Sequence, residues 1–119
     1  MKISFDFDMT LSKQKCQNIA RKLKAMGHEI CITTTRQKSF QYGVMFDHSD
    51  LYSVASSLGI TDITFTNAEN KVDFLLKNNV DMHIDDDRFE IDLINKTHIF
   101  GVLVGSSFWI QKIFNQVNA

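Results

Sequence analysis

Residues 3–12 read ISFDFDMTLS, an apolar run that finishes on two carboxylates, Asp6 and Asp8, one residue apart. A strand turns successive side chains to opposite faces. As a strand, this run points Ile3, Phe5 and Phe7 one way and Ser4, Asp6 and Asp8 the other. The two like charges are then separated by about 6.6 Å of strand rise on one face, where they repel. Such a pair needs a positive partner or open water.

Outward from this stretch, β-like and helical runs alternate. KISFDF (2–7) reads as a strand. SKQKCQNIARKLKAMG (12–27) sets Cys16, Ile19, Ala20, Leu23 and Met26 on one helical stripe, with Ser12 placed to cap its start and Gly27 its end. HEICITT (28–34) is a second strand, rich in β-branched residues. RQKSFQYGVMFDH (36–48) has no clear period, and Ser49 or Asp50 then opens a helix through LYSVASSLG (51–59). DITFT (62–66) is a strand and AENKVDFLLKNN (68–79) a helix. DMHID (81–85) and RFEIDLINK (88–96) repeat the pair, as do HIFGVLVG (98–105) and SFWIQKIFNQVNA (107–119). Five βα units predict one α/β domain over 1–119: a Rossmann-like, doubly wound, parallel five-stranded sheet with helices on both faces.

Composition narrows the function classes. With 119 residues and 44% apolar content, the chain can bury the core of one domain. A formal charge of −1 supplies no bulk attraction to nucleic acid or to an acidic membrane. No apolar run reaches transmembrane length, and Asp6 interrupts the N-terminal run too early for a signal peptide. The expectation is a soluble, cytoplasmic protein. Cys16 and Cys31 form no metal or redox doublet and read as reduced core thiols. His28, His48, His83 and His98 show no zinc-like spacing. His83, beside an acidic cluster, reads as a packed strand residue, with membership of the site as its alternative.

In open α/β sheets ligands sit at the carboxyl ends of the strands. Those ends carry Asp6 and Asp8 after the first strand, Thr34 and Arg36 after the second, and Asp85, Asp86 and Asp87 after the fourth. Lys71 heads the helix before the fourth strand. A hard cation such as Mg²⁺ takes oxygen ligands and keeps several waters, so two or three carboxylates suffice. Asp6 and Asp85 are the expected ligands, with a backbone carbonyl near Asp8. A carboxylate can also attack phosphorus, a second can move the proton, and Thr34 and Lys71 suit phosphoryl oxygens. Taken singly, each residue has a plainer reading: a solvated strand end, an ordinary β threonine, a helix-surface lysine. Asp87 reads as the N-cap of the helix carrying Phe89 and Ile91.

Together these residues resemble the haloacid dehalogenase (HAD) superfamily. FDFDMT resembles its first motif, aspartate–x–aspartate–x–threonine after an apolar strand. ICITTTR resembles the second, with the spacing to Arg36 favouring Thr34. Lys71 matches the third motif's lysine, and MHIDDD matches the fourth motif's acidic pair, Asp85 and Asp86. The resemblance implies Asp6 as nucleophile and metal ligand. It implies Asp8 as general acid/base, giving its backbone carbonyl to the metal. Thr10 would order the loop after the first strand. Thr34 and Lys71 would hold phosphate, and Asp85 would complete a Mg²⁺ site with Asp86 assisting. The chain departs from the family in leaving little room after Thr10 for a helical turn and a β-hairpin flap. It also has no cap domain, because core elements occupy the intervals from Asp8 to Thr34 and from Thr34 to Lys71.

The expected function is therefore a capless, magnesium-dependent phosphatase that hydrolyses a phosphomonoester through an aspartyl-phosphate. An open site suits a bulky substrate, such as a nucleotide, a nucleic-acid end or a phosphoprotein, or a small one enclosed by a second copy of the chain. The alternatives are a HAD-like domain that binds metal or a partner without turnover, and a phosphoryl-accepting signalling domain. Phe40, Tyr42 and Phe46 read first as satellite core, with a substitute lid or a surface that stacks on a nucleobase as the alternatives. Phe108, Trp109 and Phe114 read as core or as a dimer face.

Overall fold

The computed structural model describes residues 1–39 and 46–119. Its strands are β1 (Lys2–Phe5), β2 (Glu29–Thr34), β3 (Ile63–Phe65), β4 (Met82–Asp85) and β5 (Phe100–Leu103). Its helices are α1 (Gln14–Ala25), α2 (Ser49–Leu58), α3 (Val72–Lys77), α4 (Arg88–Ile94) and α5 (Trp109–Val117). Among the described residues, the four pairings of these strands are all parallel, in the order β3-β2-β1-β4-β5. The expected α/β sheet of five strands is what the chain forms.

The winding follows from the handedness of crossovers. From β1 the chain steps through β2 to β3 on one side, then crosses to β4 and β5 on the other. Right-handed connections that run in opposite directions place their helices on opposite faces. The buried clusters record this. On one face Ile3, Phe5, Ile30, Ile32, Met82, Ile84 and Val102 pack with Ile19 and Leu23 of α1, Leu51 and Ala55 of α2, and Ile113 of α5. On the other, Cys31 packs with Leu75 of α3 and Ile91 and Ile94 of α4. Fully burying each of these large side chains contributes about 1.5–3 kcal/mol. The direction of winding reverses between β1 and β4, and a sheet's crevice opens at such a switch point.

Ends of elements are set by backbone chemistry in place of proline. After α1, Gly27 has φ +95°, and His28 N–H donates to Leu23 O. After α2, Gly59 has φ +68°, and Ile60 N–H donates to Ala55 O. Both are left-handed helix stops that satisfy otherwise unpaired carbonyls. Helix α3 is shorter than its apolar pattern suggests, because Asn67 and Ala68 have φ of +55° and +69°. Their N–H groups donate to Arg36 O and Thr35 O, which ties this left-handed turn to the segment after β2, and α3 starts beyond it.

The opening stretch differs from its reading as a strand. β1 ends at Phe5, and Phe7–Leu11 forms one wide turn, closed by Leu11 N–H on Asp6 O and Ser12 N–H on Phe7 O. Within it Asp8 is extended at ψ 130° and Met9 left-handed at φ +60°. A wide turn therefore does fit after the first strand, while α1 follows at Gln14 with no hairpin between. Ser12 does not cap α1: Lys13 holds the N-cap position, and Ser12 Oγ accepts from Met9 N–H. Phe108 also departs from a core role, being left-handed at φ +58° and 74% exposed. Trp109 and Phe114 do pack against the first cluster. Phe40 and Tyr42 lie outside the described residues. No described helix is long and apolar enough to cross a membrane.

Candidate active site

At the switch point the backbone of β1 stays paired one residue beyond the strand, Asp6 N–H donating to Ile84 O at 2.9 Å. Asp6 and Asp85 thus end neighbouring parallel strands, both buried, on the face covered by α3 and α4. Two carboxylates so placed need a cation, and Lys71 supplies it from the head of α3. Its Nζ lies 2.8 Å from Asp6 Oδ1 and 2.6 Å from Asp85 Oδ2, with only 2% of the side chain exposed. Glu90, itself buried, accepts the Lys71 backbone N–H at 3.1 Å and ties α4 to this corner.

One ammonium between two carboxylates leaves a net negative charge. Burial raises the Asp6 carboxyl to about 7, with Lys71 opposing and Asp85 reinforcing the shift. Burial also works against ionised Asp85, but bonds from His83 and Lys71 outweigh it and hold Asp85 well below the usual range. For Lys71, burial is again the largest influence, and attraction to Asp6 and Asp85 overcomes it, raising the ammonium's pKa.

Asp8 is not on the strand face of Asp6. It lies beyond the end of β1, in the turn from Phe7 to Leu11, and its carboxylate is paired with Arg36. Arg36 Nε donates to Asp8 Oδ2 at 2.9 Å and Nη2 to Oδ1 at 2.7 Å. The same guanidinium donates to both oxygens of Asp50, at 2.9 and 2.8 Å, and lies 5.0 Å from the Phe7 ring centroid. These bonds, to Asp50 first and Asp8 second, raise the pKa of Arg36, and the bond to Arg36 pulls Asp50 down to about 2. The like charges of the opening stretch are therefore separated, and each has its own cation.

Thr10 is fully buried and donates to Asp86 Oδ1 at 3.3 Å, joining the wide turn to the end of β4. Asp87 caps α4 as expected, accepting from Phe89 N–H and Glu90 N–H. Thr34 is buried at the end of β2, on the face opposite Asp6 by the strand register, and its hydroxyl accepts Arg36 N–H at 3.2 Å. The cleft over the site, about 270 Å³, is lined by Asp6, Asp8, Met9, Thr35, Lys71, Asp85, Asp86 and Asp87. The structure thus brings Asp6, Asp8, Lys71, Asp85 and Asp86 into one cleft, with Thr35 as its threonine.

Asp6, Asp85 and Asp86 each offer a carboxylate oxygen within 4.8 Å of the others. Three hard oxygen donors beside a lysine fit a hydrated Mg²⁺ better than a soft metal. Arg36, Asp50, His83 and Glu90 complete the surroundings. Of these, the sequence places Arg36 at a strand end and His83 near the acids, and the fold supplies their partners. Asp50 reads only as a helix-opening residue, and nothing in the local sequence marks Glu90; their partners come from elements elsewhere in the chain. No family model matches the chain, and no curated protein matches it.

Proposed function

We propose that the chain is a HAD-type phosphohydrolase that cleaves a phosphomonoester through an aspartyl-phosphate. The observation that carries this reading is Lys71 Nζ held between Asp6 and Asp85 at the switch point, with Asp86 completing a carboxylate triad. Asp6, Asp85 and Asp86 are the residues that would hold Mg²⁺. When bound, the cation offsets charge between these carboxylates and the phosphoryl oxygens.

The chain's own residues then divide the work. An Asp6 oxygen attacks phosphorus, and the bond from phosphorus to the leaving oxygen breaks. Asp8, after leaving Arg36 and taking a proton from solvent, gives that proton to the leaving oxygen. It afterwards takes one from the attacking water, whose oxygen bonds phosphorus as the bond to Asp6 breaks, releasing phosphate and restoring Asp6. Lys71 stabilises negative charge on the transferring group. To reach the leaving oxygen Asp8 must turn away from Arg36, and Asp50 remains to pair the guanidinium when it does. The cleft accommodates a phosphoryl group, while the rest of a bulky substrate would lie outside. An adjoining groove of about 500 Å³, lined by Arg36, Gln37, Phe46, Asp47, His48, Ser49 and Asp50, is a place for it.

A second reading, a domain that binds metal without turnover, is favoured by one observation: both Asp8 oxygens are engaged by Arg36. A panel of phosphomonoesters assayed with Mg²⁺ and with chelator separates the two. Phosphate release that requires Mg²⁺ supports the hydrolase. A Mg²⁺-dependent rise in unfolding temperature without release supports the second reading. In either case a ligand present at about 100 times its Kd stabilises the fold by about 2.7 kcal/mol, and Asp85→Asn should remove most of that gain. Melting curves identical with Mg²⁺ and with chelator would refute both.

The two threonines provide a finer test. Thr35→Val should raise KM for a good substrate by about tenfold, the cost of a phosphate hydrogen bond. Thr34→Val should leave KM within about twofold and cost about 1 kcal/mol of stability through the lost bond to Arg36 N–H. The opposite pattern, KM following Thr34, would return the phosphate contact to the residue favoured by motif spacing.

A further inference from the structure

Beneath the carboxylates lies a buried polar chain that the proposed reaction does not use. His83 is wholly buried in β4, and its Nε2 lies 2.8 Å from Asp85 Oδ2. Its Nδ1 lies 3.0 Å from Ser4 Oγ, and Ser4 Oγ lies 2.8 Å from Thr33 Oγ1. Ser4, Thr33 and His83 sit on three adjacent strands, β1, β2 and β4, where apolar side chains would complete the core beside Cys31 and Leu75. Polar groups in such positions are costly unless every member is paired. Among the described residues, no buried side-chain nitrogen or oxygen is without a partner.

The chemistry gives this chain a direction. An ionised carboxylate only accepts, so the proton between His83 and Asp85 is on Nε2. Nδ1 of a neutral imidazole then accepts from Ser4 O–H, and Ser4 Oγ, having used its proton, accepts from Thr33 O–H. At the far end Asp85 Oδ2 receives both His83 Nε2–H and Lys71 Nζ–H, while Oδ1 receives Asp87 N–H at 3.1 Å. A carboxylate has about four lone-pair sites, so these three bonds lock its orientation and leave Oδ1 with the remaining one.

We infer that the Thr33–Ser4–His83 chain is a positioning device for Asp85, holding its carboxylate so that one oxygen faces Lys71 and the other is presented to a divalent cation. The inference rests on the metal-site reading proposed above. His83 is a positioning residue: it touches neither substrate nor cation and acts through Asp85. Hydrogen-bonded partners behind a ligating carboxylate are worth about 10- to 100-fold in metal affinity or activity.

The test compares His83→Gln, His83→Asn, His83→Leu and Ser4→Ala. Glutamine can place an amide N–H near the position of imidazole Nε2, whereas asparagine places one near Nδ1. The Mg²⁺ concentration giving half the maximal rise in unfolding temperature is measured for each, alongside melting in chelator and phosphatase rates at saturating Mg²⁺. Gln should stay within about threefold of wild type. Asn and Leu should need about 10- to 100-fold more Mg²⁺, with kcat at saturation nearly preserved. Ser4→Ala, which frees His83 Nδ1, should fall between. Nitrogen-15 NMR of the metal-free protein should show the His83 proton on Nε2. A His83→Leu variant with wild-type Mg²⁺ dependence, equal losses in Gln and Asn that merely follow melting in chelator, or a proton on Nδ1 would overturn the inference. A wild-type protein that ignores Mg²⁺ would instead fail at the earlier step, the metal reading itself, and take this inference with it. Those two failures are therefore distinguishable.

Discussion

Lys71→Met is expected to destabilise the metal-free protein by about 3–5 kcal/mol, because it strands Asp6 and Asp85 in the interior without their shared cation. Methionine keeps much of the length and packing of the lysine stem, so the loss isolates the charge. Its pH dependence is the sharper signature. Asp6 is already raised to about 7 in the wild type, above the ordinary 3.8, mainly by burial. For a carboxylate raised in the folded state, the native protein binds more protons than the unfolded chain between those values. Stability from this group is therefore present below about 4 and lost as pH rises toward 7. Removing Lys71 raises Asp6 further, so the deficit of Lys71→Met should be larger at pH 8 than at pH 5. Urea unfolding at both pH values, in chelator and in Mg²⁺, measures this. A bound cation should return part of the loss at pH 8. Equal deficits at the two pH values would mean that Lys71 contributes packing and not charge.

Asp6→Asn should reduce phosphate release by about a thousandfold or more, since a neutral amide cannot serve as the nucleophile. The same change should raise the stability of the metal-free protein. It removes one of two negative charges that share a single ammonium, and the amide oxygen can still accept from Lys71. The gain should be about 1–3 kcal/mol at pH 8 and close to zero at pH 4, where wild-type Asp6 is protonated in the folded state. An activity lost together with stability would indicate a structural aspartate. Retained turnover, in protein purified free of contaminating phosphatases, would eliminate the covalent mechanism. Opposite signs for rate and stability are the expected mark of a site where function is maintained against electrostatic strain.

The alternation of apolar and polar positions determined the architecture because it is a local property. Ile3 and Phe5, Ile30 and Ile32, and Met82 and Ile84 share one face by the two-residue period alone, and packing against α1, α2 and α5 keeps that pattern. The left-handed stop at Gly27 is equally local, since backbone freedom decides it. Gly59, by contrast, also makes room for Lys24 Nζ of α1, which donates to Leu58 O and Gly59 O. Asp6, Lys71 and Asp85 could be named from the sequence because strand ends gather at one edge in any parallel sheet. Their ion pairs, spanning 65 and 14 residues, could not be measured from it.

Tertiary structure decided the rest. Asp8 continues the strand pattern of Asp6 on paper, yet the turn from Phe7 to Leu11 takes it away. That turn is held from outside its own segment, by Thr10 on Asp86 and by Arg36 on Asp8. Spacing to Arg36 favours Thr34, but strand register puts it on the face opposite Asp6, and Thr35 lines the cleft. In the sequence His83 reads as a packed strand residue, and Ser4 and Thr33 are polar positions within strands. Only the pairing of β1 with β2 and β4 makes them one chain of hydrogen bonds. A period in sequence reports which side of an element is buried; it does not report which side chain from another element meets it there. Buried charges and hydroxyls, whose energies depend on a partner within about 3 Å, are therefore where the folded structure adds most.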